Sequence, residues 1–400
     1  MLLFFIDGYG EDLRVPSSPS RADESTLLLC HFDGKFVPDY ARGGSCLKVE
    51  ADNVKFQDGR FGKGIGGFDL IPPERSGALL AIEMIGKELL ANDKLTVDKT
   101  GIIESWHSGI RKDGKIFFEG ELPMDVSFAR RKEFIAVQDI AEPREYSGKE
   151  LVLKVSFKAE KDSNMFIGME CFPKRPEVTS GFIYQDGVYA EKAARKGRRD
   201  DISLYALIPE GTTSIKIFIG GGHFYVPEET GVSVAQASLR ELVNFSLKEG
   251  SVSLWIQFPF TRPGNCSLFN FLDFWTGPSL AYTRGYGGRF SFNLGRCFDG
   301  EIATASICNI DDSFFDGKWH YFRVSWKNIN TGKADGELNI NIDGTHIGRV
   351  AGEYIRCETV VDKLFLGAWS VGGRKIYPAE ALLDELKITD RYEEMPKSAE

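Results

Sequence analysis

Residues 318–326 constrain the fold more than any other part of the sequence. Aromatic and β-branched residues alternate there, with Trp319, Tyr321 and Arg323 on one side and His320, Phe322, Val324 and Trp326 on the other. This period of two predicts a half-buried strand, and aromatic residues on both sides predict a central strand packed against a second sheet. Residues 338–345 alternate in the same way and contain Asp343-Gly344, which is typical of a tight hairpin turn.

The composition favours many short strands. The chain has 400 residues, 42% of them hydrophobic, which is long for one domain and sufficient for two. Thirty Phe and 43 Gly, with few helical periods, indicate an all-β sandwich. A net charge of −9 argues against a general nucleic-acid binder, and no apolar run is long enough to span a bilayer.

Several motifs resemble one known family. The opening segment 26–34, the glycine-rich segment 59–68 and the segments 364–369 and 382–388 follow one another as in the laminin-G-like, concanavalin-type jelly rolls. The hairpin at 318–345 is similar to the core of the same family. The resemblance implies an all-β, concanavalin-type sandwich in which the last strand pairs beside the first.

An insertion interrupts this pattern. The strand expected soon after residue 68 is found only at 250–259, so residues 85–243 are predicted to be a separate inserted domain. Its segments resemble the jelly-roll carbohydrate-binding modules attached to cellulases and xylanases. Ala235-Gln236 replaces the acidic pair of that family, so no calcium is expected in the insert. The predicted organisation is an arm at 1–25, a discontinuous sandwich at 26–84 plus 244–400, and a second sandwich at 85–243.

Motifs for catalysis are missing from the sequence. It has no acidic run like that of jelly-roll glucanases, and no nucleophile elbow, zinc-protease motif or phosphate-binding loop. Asp384 and Glu385 are neighbours in a predicted strand and are expected on opposite faces. His320 is expected to be a packed or hydrogen-bonded histidine. We therefore predict a non-enzymatic protein, while carboxylates that converge from distant loops stay open.

A single structural calcium ion is one alternative for the acidic residues. The family resemblance implies Asp33 and Asp384 as ligands, because the first and last strands would bring them together, and Asp311 and Asp312 are further candidates. The other alternative is that these acids hydrogen-bond to backbone at turns and strand ends.

Aromatic residues in loops suit sugar recognition. The candidate platforms are Trp106, Tyr184, Trp275, Tyr282, Tyr286 and Trp369. Core packing is the competing explanation, since the chain has 6 Trp and 13 Tyr.

The cysteines and the start of the sequence bear on location. The seven cysteines have no zinc-like spacing and are expected to be buried free thiols from a reducing compartment, with one or two disulfides as the alternative. The apolar arm Leu2, Leu3, Phe4, Phe5 and Ile6 lacks the features of a signal peptide and is expected to dock on a neighbouring subunit.

A phage virion protein would reconcile a domain type that usually works outside cells with the missing export signal. We therefore expect an oligomeric structural or adhesion protein on a virion surface, with other virion proteins and cell-surface polysaccharide as partners. The alternatives are a free carbohydrate-binding protein or a divergent glycoside hydrolase, cytoplasmic or extracellular.

Overall fold

The computed structural model describes most of the chain. The described residues are 15–44, 48–68, 79–100, 102–112, 115–123, 135–176, 178–225, 230–258, 263–270, 278–285, 288–297, 302–308, 310, 312–357, 363–371 and 374–393. The chain divides into two compact units, one formed by Met1–Met84 with Asn244–Glu400 and the other by Ile85–Val243. They are called the host unit and the inserted unit below.

In the described parts of the chain both units are built from β-strands, with short 3₁₀ helices at Pro143–Tyr146 and Asp312–Phe314. The first strands of the host unit are β1 (Thr26–Cys30), β2 (Tyr40–Ala41), β3 (Val49–Asp52), β4 (Lys55–Asp58), β5 (Lys63–Gly66) and β6 (Leu79–Glu83). The inserted unit contains β7 (Ile85–Glu88), β8 (Ile102–Lys112), β9 (Lys115–Pro123), β10 (Ile135–Asp139), β11 (Glu150–Ala159), β12 (Ser163–Phe172), β13 (Val178–Thr179), β14 (Phe182–Ile183), β15 (Gly187–Ala194), β16 (Arg199–Leu207), β17 (Ser214–Gly221) and β18 (Val232–Leu242). The host unit resumes with β19 (Gly250–Gln257), β20 (Cys266–Asn270), β21 (Ser279–Thr283), β22 (Arg289–Cys297), β23 (Ile302–Cys308), β24 (Trp319–Lys327), β25 (Gly336–Ile342), β26 (Thr345–Glu353), β27 (Ile355–Arg356), β28 (Lys363–Leu366), β29 (Trp369–Val371), β30 (Arg374–Ile376) and β31 (Leu382–Thr389).

The host unit is a sandwich of two antiparallel sheets. The nine-stranded sheet has the order β2-β1-β31-β19-β24-β25-β26, with β5 and β4 joined to it through β31. The eight-stranded sheet has the order β23-β22-β21-β20-β28-β6-β3, with β27 beside β22. The sheets pack through aromatic side chains, since the rings of Phe290 and Phe322 are 5.1 Å apart and those of Phe292 and Trp326 are 5.9 Å apart.

The predicted central strand and hairpin are confirmed. Strand β24 pairs with β19 on one side and β25 on the other, and β25 pairs with β26 after the turn at Asp343-Gly344. Phe322, Val324 and Trp326 are buried in the core, as the alternation predicted. The last strand, β31, also pairs antiparallel with the first, β1.

The inserted unit is a second all-β sandwich. Its seven-stranded sheet has the order β14-β15-β12-β17-β10-β8-β9, and its five-stranded sheet has the order β13-β16-β11-β18-β7. Alternate residues of both sheets form one core, for example Ile167 and Ile217 from the first sheet with Leu153 and Leu204 from the second. Every second side chain of the seven-stranded sheet therefore points away from this core.

Two further predictions are tested by the described residues. Cys30, Cys171, Cys266 and Cys357 are buried free thiols, as predicted, and burial raises the pKa of Cys171 to about 12. In the described ranges no helix is long and apolar enough to cross a membrane. The arm Leu2–Ile6 and Cys46 lie outside these ranges.

Candidate functional site

The outer face of the seven-stranded sheet carries a contiguous group of aromatic rings. Neighbouring ring centroids in this group are 3.9 to 6.4 Å apart. We call it the outer aromatic cluster; its members are Phe166, Phe182, Tyr184, Tyr189, Phe218, Phe224 and Tyr225. It is separate from the core between the two sheets, which holds the intervening residues of the same strands.

Two glycines let the rings lie close to the sheet. Gly168 in β12 pairs with Phe218 in β17, and Gly220 in β17 pairs with Phe166 in β12. A Cβ atom at Gly168 would lie 1.8 Å from the Phe218 ring, and one at Gly220 would lie 2.1 Å from the Phe166 ring. Each ring therefore covers backbone where any other residue would place a side chain.

The cluster has an exposed rim. Phe224 stacks on Tyr189 with the ring centroids 3.9 Å apart. Phe182 and Tyr225 flank Tyr189 at 5.4 and 5.6 Å. Phe182 is 52% exposed and Tyr225 is 59% exposed, although large aromatic side chains are ordinarily buried. Two rings on a supported aromatic surface are thus open to solvent.

Polar groups hold the loop that supplies part of this rim. Glu191 accepts a hydrogen bond of 2.5 Å from the backbone N–H of Phe224 and lies 3.2 Å from His223 Nδ1. His223 Nε2 lies 2.7 Å from Asn164 Nδ2. The side chains of His223 and Glu191 are partly exposed, so the aromatic rim adjoins groups able to exchange hydrogen bonds with a ligand.

The predicted aromatic platforms fall into three groups. Trp106 is 1% exposed in the core of the inserted unit and Tyr282 is 1% exposed in the host unit, so neither offers a ring face to a ligand and both predictions are wrong. Tyr184 belongs to the outer aromatic cluster and donates a hydrogen bond of 3.0 Å to Glu170. Trp275, Tyr286 and the side chain of Trp369 lie outside the described part of the structure.

The rings that form the rim were not among the predicted platforms. Phe182 lies in a strand of two residues, which gives no periodicity to detect. Phe224 and Tyr225 follow the three glycines 220–222, and aromatic residues next to a glycine run were the one available signal. Phe166 and Phe218 could have been found because each lies two residues before a glycine.

Asp384 contacts the loop between β4 and β5 and Asp33 contacts the first residue of β5, but both do so as acceptors of backbone hydrogen bonds. Asp33 Oδ1 accepts from Lys63 N at 2.7 Å. Asp384 Oδ2 accepts from Arg60 N at 2.7 Å and from Phe61 N at 3.2 Å. Amide N–H groups directed at these oxygens suit a turn rather than a cation. The described residues contain no group of three or more His, Cys, Asp or Glu side chains placed to hold a metal ion, and a calcium ion at Asp33 and Asp384 stays a prediction.

The neighbouring acids Asp384 and Glu385 depart from simple alternation. The register of β31 against β19 shifts between Ser253 and Trp255, and Glu385 has a φ of 54°. Both carboxyl groups are buried, and Glu385 Oε1 lies 2.7 Å from His31 Nδ1. Burial raises the pKa of Asp384 to about 6, against the lowering effect of the N–H groups of Phe61, Arg60 and Glu385.

Comparisons with known proteins give little further guidance. No family model and no curated protein matches the sequence. Among solved structures, the receptor-binding domain of a botulinum neurotoxin of mosaic serotype C/D aligns with 12% identity over 37% of this chain and 34% of that chain, at a TM-score of 0.28. The binding domain of Paraclostridial Mosquitocidal Protein 1 aligns with 15% identity over 42% and 39%, at 0.29. A structure of NanB aligns with 13% identity over 38% of this chain and 23% of that chain, at 0.28. The chain thus spans well under half the length of these proteins, and TM-scores this low carry no conclusion about its function.

Proposed function

We propose that this chain is a non-enzymatic binding protein that recognises a saccharide on the outer aromatic cluster of its inserted unit. The observation that carries the proposal is the exposed pair Phe182 and Tyr225 beside the stacked rings of Tyr189 and Phe224. Sugar rings have an apolar C–H face and a polar edge. Aromatic rings next to Glu191 and His223 would serve both.

A glycan array would identify the ligand class, and substitution of the rim would locate the site. Phe182→Ala and Tyr225→Ala should each weaken binding of the best array ligand by roughly three- to tenfold, since one aromatic contact contributes about 0.5–1.5 kcal/mol. Isothermal titration calorimetry measures the change. Both side chains are more than half exposed, so the fold should be preserved.

Ile183→Ala is the matched control, because Ile183 is 51% exposed in the same short strand but has no ring. It should bind like the unsubstituted protein. An array without any hit, or rim variants that bind as well as the Ile183 control, would contradict the proposal.

The wider role that we propose is a structural or adhesion component exposed on a larger assembly such as a phage virion. This part is supported by the sequence alone, since the apolar arm lies outside the described residues. Removal of residues 1–14 should abolish assembly and leave the melting temperature nearly unchanged. An unaltered oligomer in light scattering would refute the arm's role.

A further inference from the structure

The outer face of the host unit's nine-stranded sheet is polar and buried, unlike an ordinary solvent-facing sheet. Along β24 this face carries Tyr321, Arg323 and Ser325, whose partners in register on β19 are Trp255, Ser253 and Ser251 and on β25, for the last two, Asn341 and Asn339. All of these residues except Arg323 are buried, and the side chain of Arg323 is 13% exposed. We call this group the polar sheet face.

Three hydrogen-bonding atoms on this face are buried without a partner among the described residues. They are Trp255 Nε1, Arg323 Nε and Ser325 Oγ. Leaving one such group unpaired and out of contact with water destabilises the fold, so folded proteins rarely do it. Two of the three can only donate, so a ligand rich in acceptor oxygens would suit them.

A carboxylate of the same chain already lies at this face. Glu393 Oε2 is 2.5 Å from Arg323 Nη1, and Glu393 Oε1 is 3.5 Å from Ser251 Oγ. The preceding residue, Tyr392, accepts a hydrogen bond of 3.1 Å from Asn339 Nδ2 and donates one to Glu337. Residues 392–393 therefore cover the guanidinium group of Arg323, while its Nε–H has no partner among the described residues.

We propose that the polar sheet face is a second binding site, specific for a saccharide that carries a carboxylate, and that Glu393 holds the place of that carboxylate. The guanidinium of Arg323 would bind the acid group through paired N–H donors. Ser325 Oγ and Trp255 Nε1 would donate to neighbouring sugar oxygens. This site lies in the host unit and does not depend on the aromatic site proposed for the inserted unit.

The strand pairing favours a saccharide over a peptide. Strand β24 is hydrogen-bonded to β19 and to β25, so its backbone offers no open edge to which an extended peptide could add. Recognition must come from side chains on the sheet face. Arg60 and Phe61 pack on the Trp255 ring, at 4.8 and 5.8 Å, and mark the limit of the site on that side.

Competition with Glu393 makes the proposal testable in the full chain. We would titrate trigalacturonate, and its fully methyl-esterified form as the neutral match, into the unsubstituted protein and into Glu393→Gln. Removal of the internal carboxylate should raise the affinity for trigalacturonate at least about tenfold, because a charged hydrogen bond is released for the ligand. The methyl ester should bind neither protein.

Two further variants separate binding from folding. Glu24→Gln removes a carboxylate that pairs with the exposed Arg391, and it should leave the affinity for trigalacturonate unchanged. Ser325→Ala removes a hydroxyl that has no partner among the described residues, so the stability of this variant should be unchanged. Glu393→Gln combined with Ser325→Ala should bind trigalacturonate about fivefold or more weakly than Glu393→Gln alone.

Three results would overturn the inference. The first is that Glu393→Gln and Glu24→Gln bind trigalacturonate with equal affinity. The second is that Glu393→Gln binds trigalacturonate and its methyl ester with equal affinity. The third is that Ser325→Ala, added to Glu393→Gln, does not change the affinity for trigalacturonate. A blocked peptide with the sequence of residues 391–394, Arg-Tyr-Glu-Glu, is the competing ligand. If it binds more tightly than trigalacturonate, the assignment to saccharides is overturned.

Discussion

The ring of Phe218 occupies the space in which residue 168 would otherwise carry a Cβ atom. Glycine at this position is therefore a packing requirement and not a turn signal, since Gly168 lies in the middle of β12. The same holds for Gly220 beneath Phe166. These two contacts bring aromatic rings flat against the sheet that supports the proposed saccharide site.

Gly168→Ala should destabilise the inserted unit by roughly 1–3 kcal/mol, because the added methyl group overlaps the Phe218 ring and forces it to move. Urea unfolding measures the loss. Gly264→Ala is the control, since the nearest atom to its Cβ would be 3.8 Å away. Equal stability of the two variants would show that the Phe218 ring moves aside without cost.

Asp384 should make the stability of the host unit depend on pH. Its pKa is raised to about 6 in the fold by burial, whereas an unfolded Asp has a value of 3.8. The folded state therefore holds the proton more tightly, and this contribution to stability declines as the pH rises from about 4 to about 6. Over this pH range the free energy of unfolding should fall by about 2–3 kcal/mol because of Asp384, and Asp384→Asn should abolish this fall.

Urea unfolding at several pH values from 4 to 7 would measure this effect as the difference between Asp384→Asn and the unsubstituted protein. Contributions from other groups cancel in the difference. A difference that does not change with pH would mean that the three backbone N–H donors outweigh burial.

At the scale of elements, His320 at the start of β24 contacts the turn between β25 and β26. His320 Nδ1 lies 2.6 Å from Asp343 Oδ2, and Asp343 Oδ1 accepts from Tyr321 N at 2.8 Å. The His320 ring stacks on Phe314 with the centroids 4.1 Å apart. The prediction of a packed and hydrogen-bonded histidine is confirmed.

The stability supplied by this pair should fall at alkaline pH. Burial alone would lower the pKa of His320, but Asp343 and Asp316 outweigh it and raise the pKa above 6.5. The contribution is thus fully present below pH 6.5 and is lost as the pH rises through the folded value. Asp343→Asn should cost about 1 kcal/mol at pH 5.5 and close to nothing at pH 9.

Thermal melts at the two pH values test this. Asp335→Asn is the control, because the Asp335 carboxylate accepts a hydrogen bond from Thr331 in an exposed loop. The control should show no pH-dependent difference. The same loss at both pH values would contradict a role for the charged histidine.

Periodicity predicted the regular strands and missed the irregular features that shape the sites. Strands β24 and β25 could be predicted because one face of each is apolar and the residues alternate without interruption. The bulge at Glu385 could not be predicted, because the extra residue is fixed by pairing with β19, which is distant in sequence. The rim residues Phe182 and Tyr225 lie where strands end, so only tertiary packing brings them together.

At the scale of the whole molecule, the two host residues that flank the inserted segment are hydrogen-bonded to each other. Asn244 N donates to Met84 O at 3.2 Å, and within the inserted unit Leu242 pairs with Ile85. The host strands therefore need no spacer to keep their positions.

Each unit should accordingly fold alone. A protein in which residue 84 is joined to residue 244 by a short Gly-Ser linker should melt cooperatively and keep its β circular dichroism. A separate chain of residues 85–243 should do the same. Aggregation of either one would show that its core depends on the other unit.

The position of β31 also sets an order of events during synthesis. This strand lies between β1 and β19, yet it is among the last parts of the host unit to leave the ribosome. The inserted unit is complete at residue 243, so it can fold while β1 and β6 still lack their later partners β31 and β28. At translation speeds of roughly 5–20 residues per second, β1 waits for β31 on the order of 20–70 s. During that time β1 presents an apolar edge, which makes it a natural binding site for chaperones that act on nascent chains.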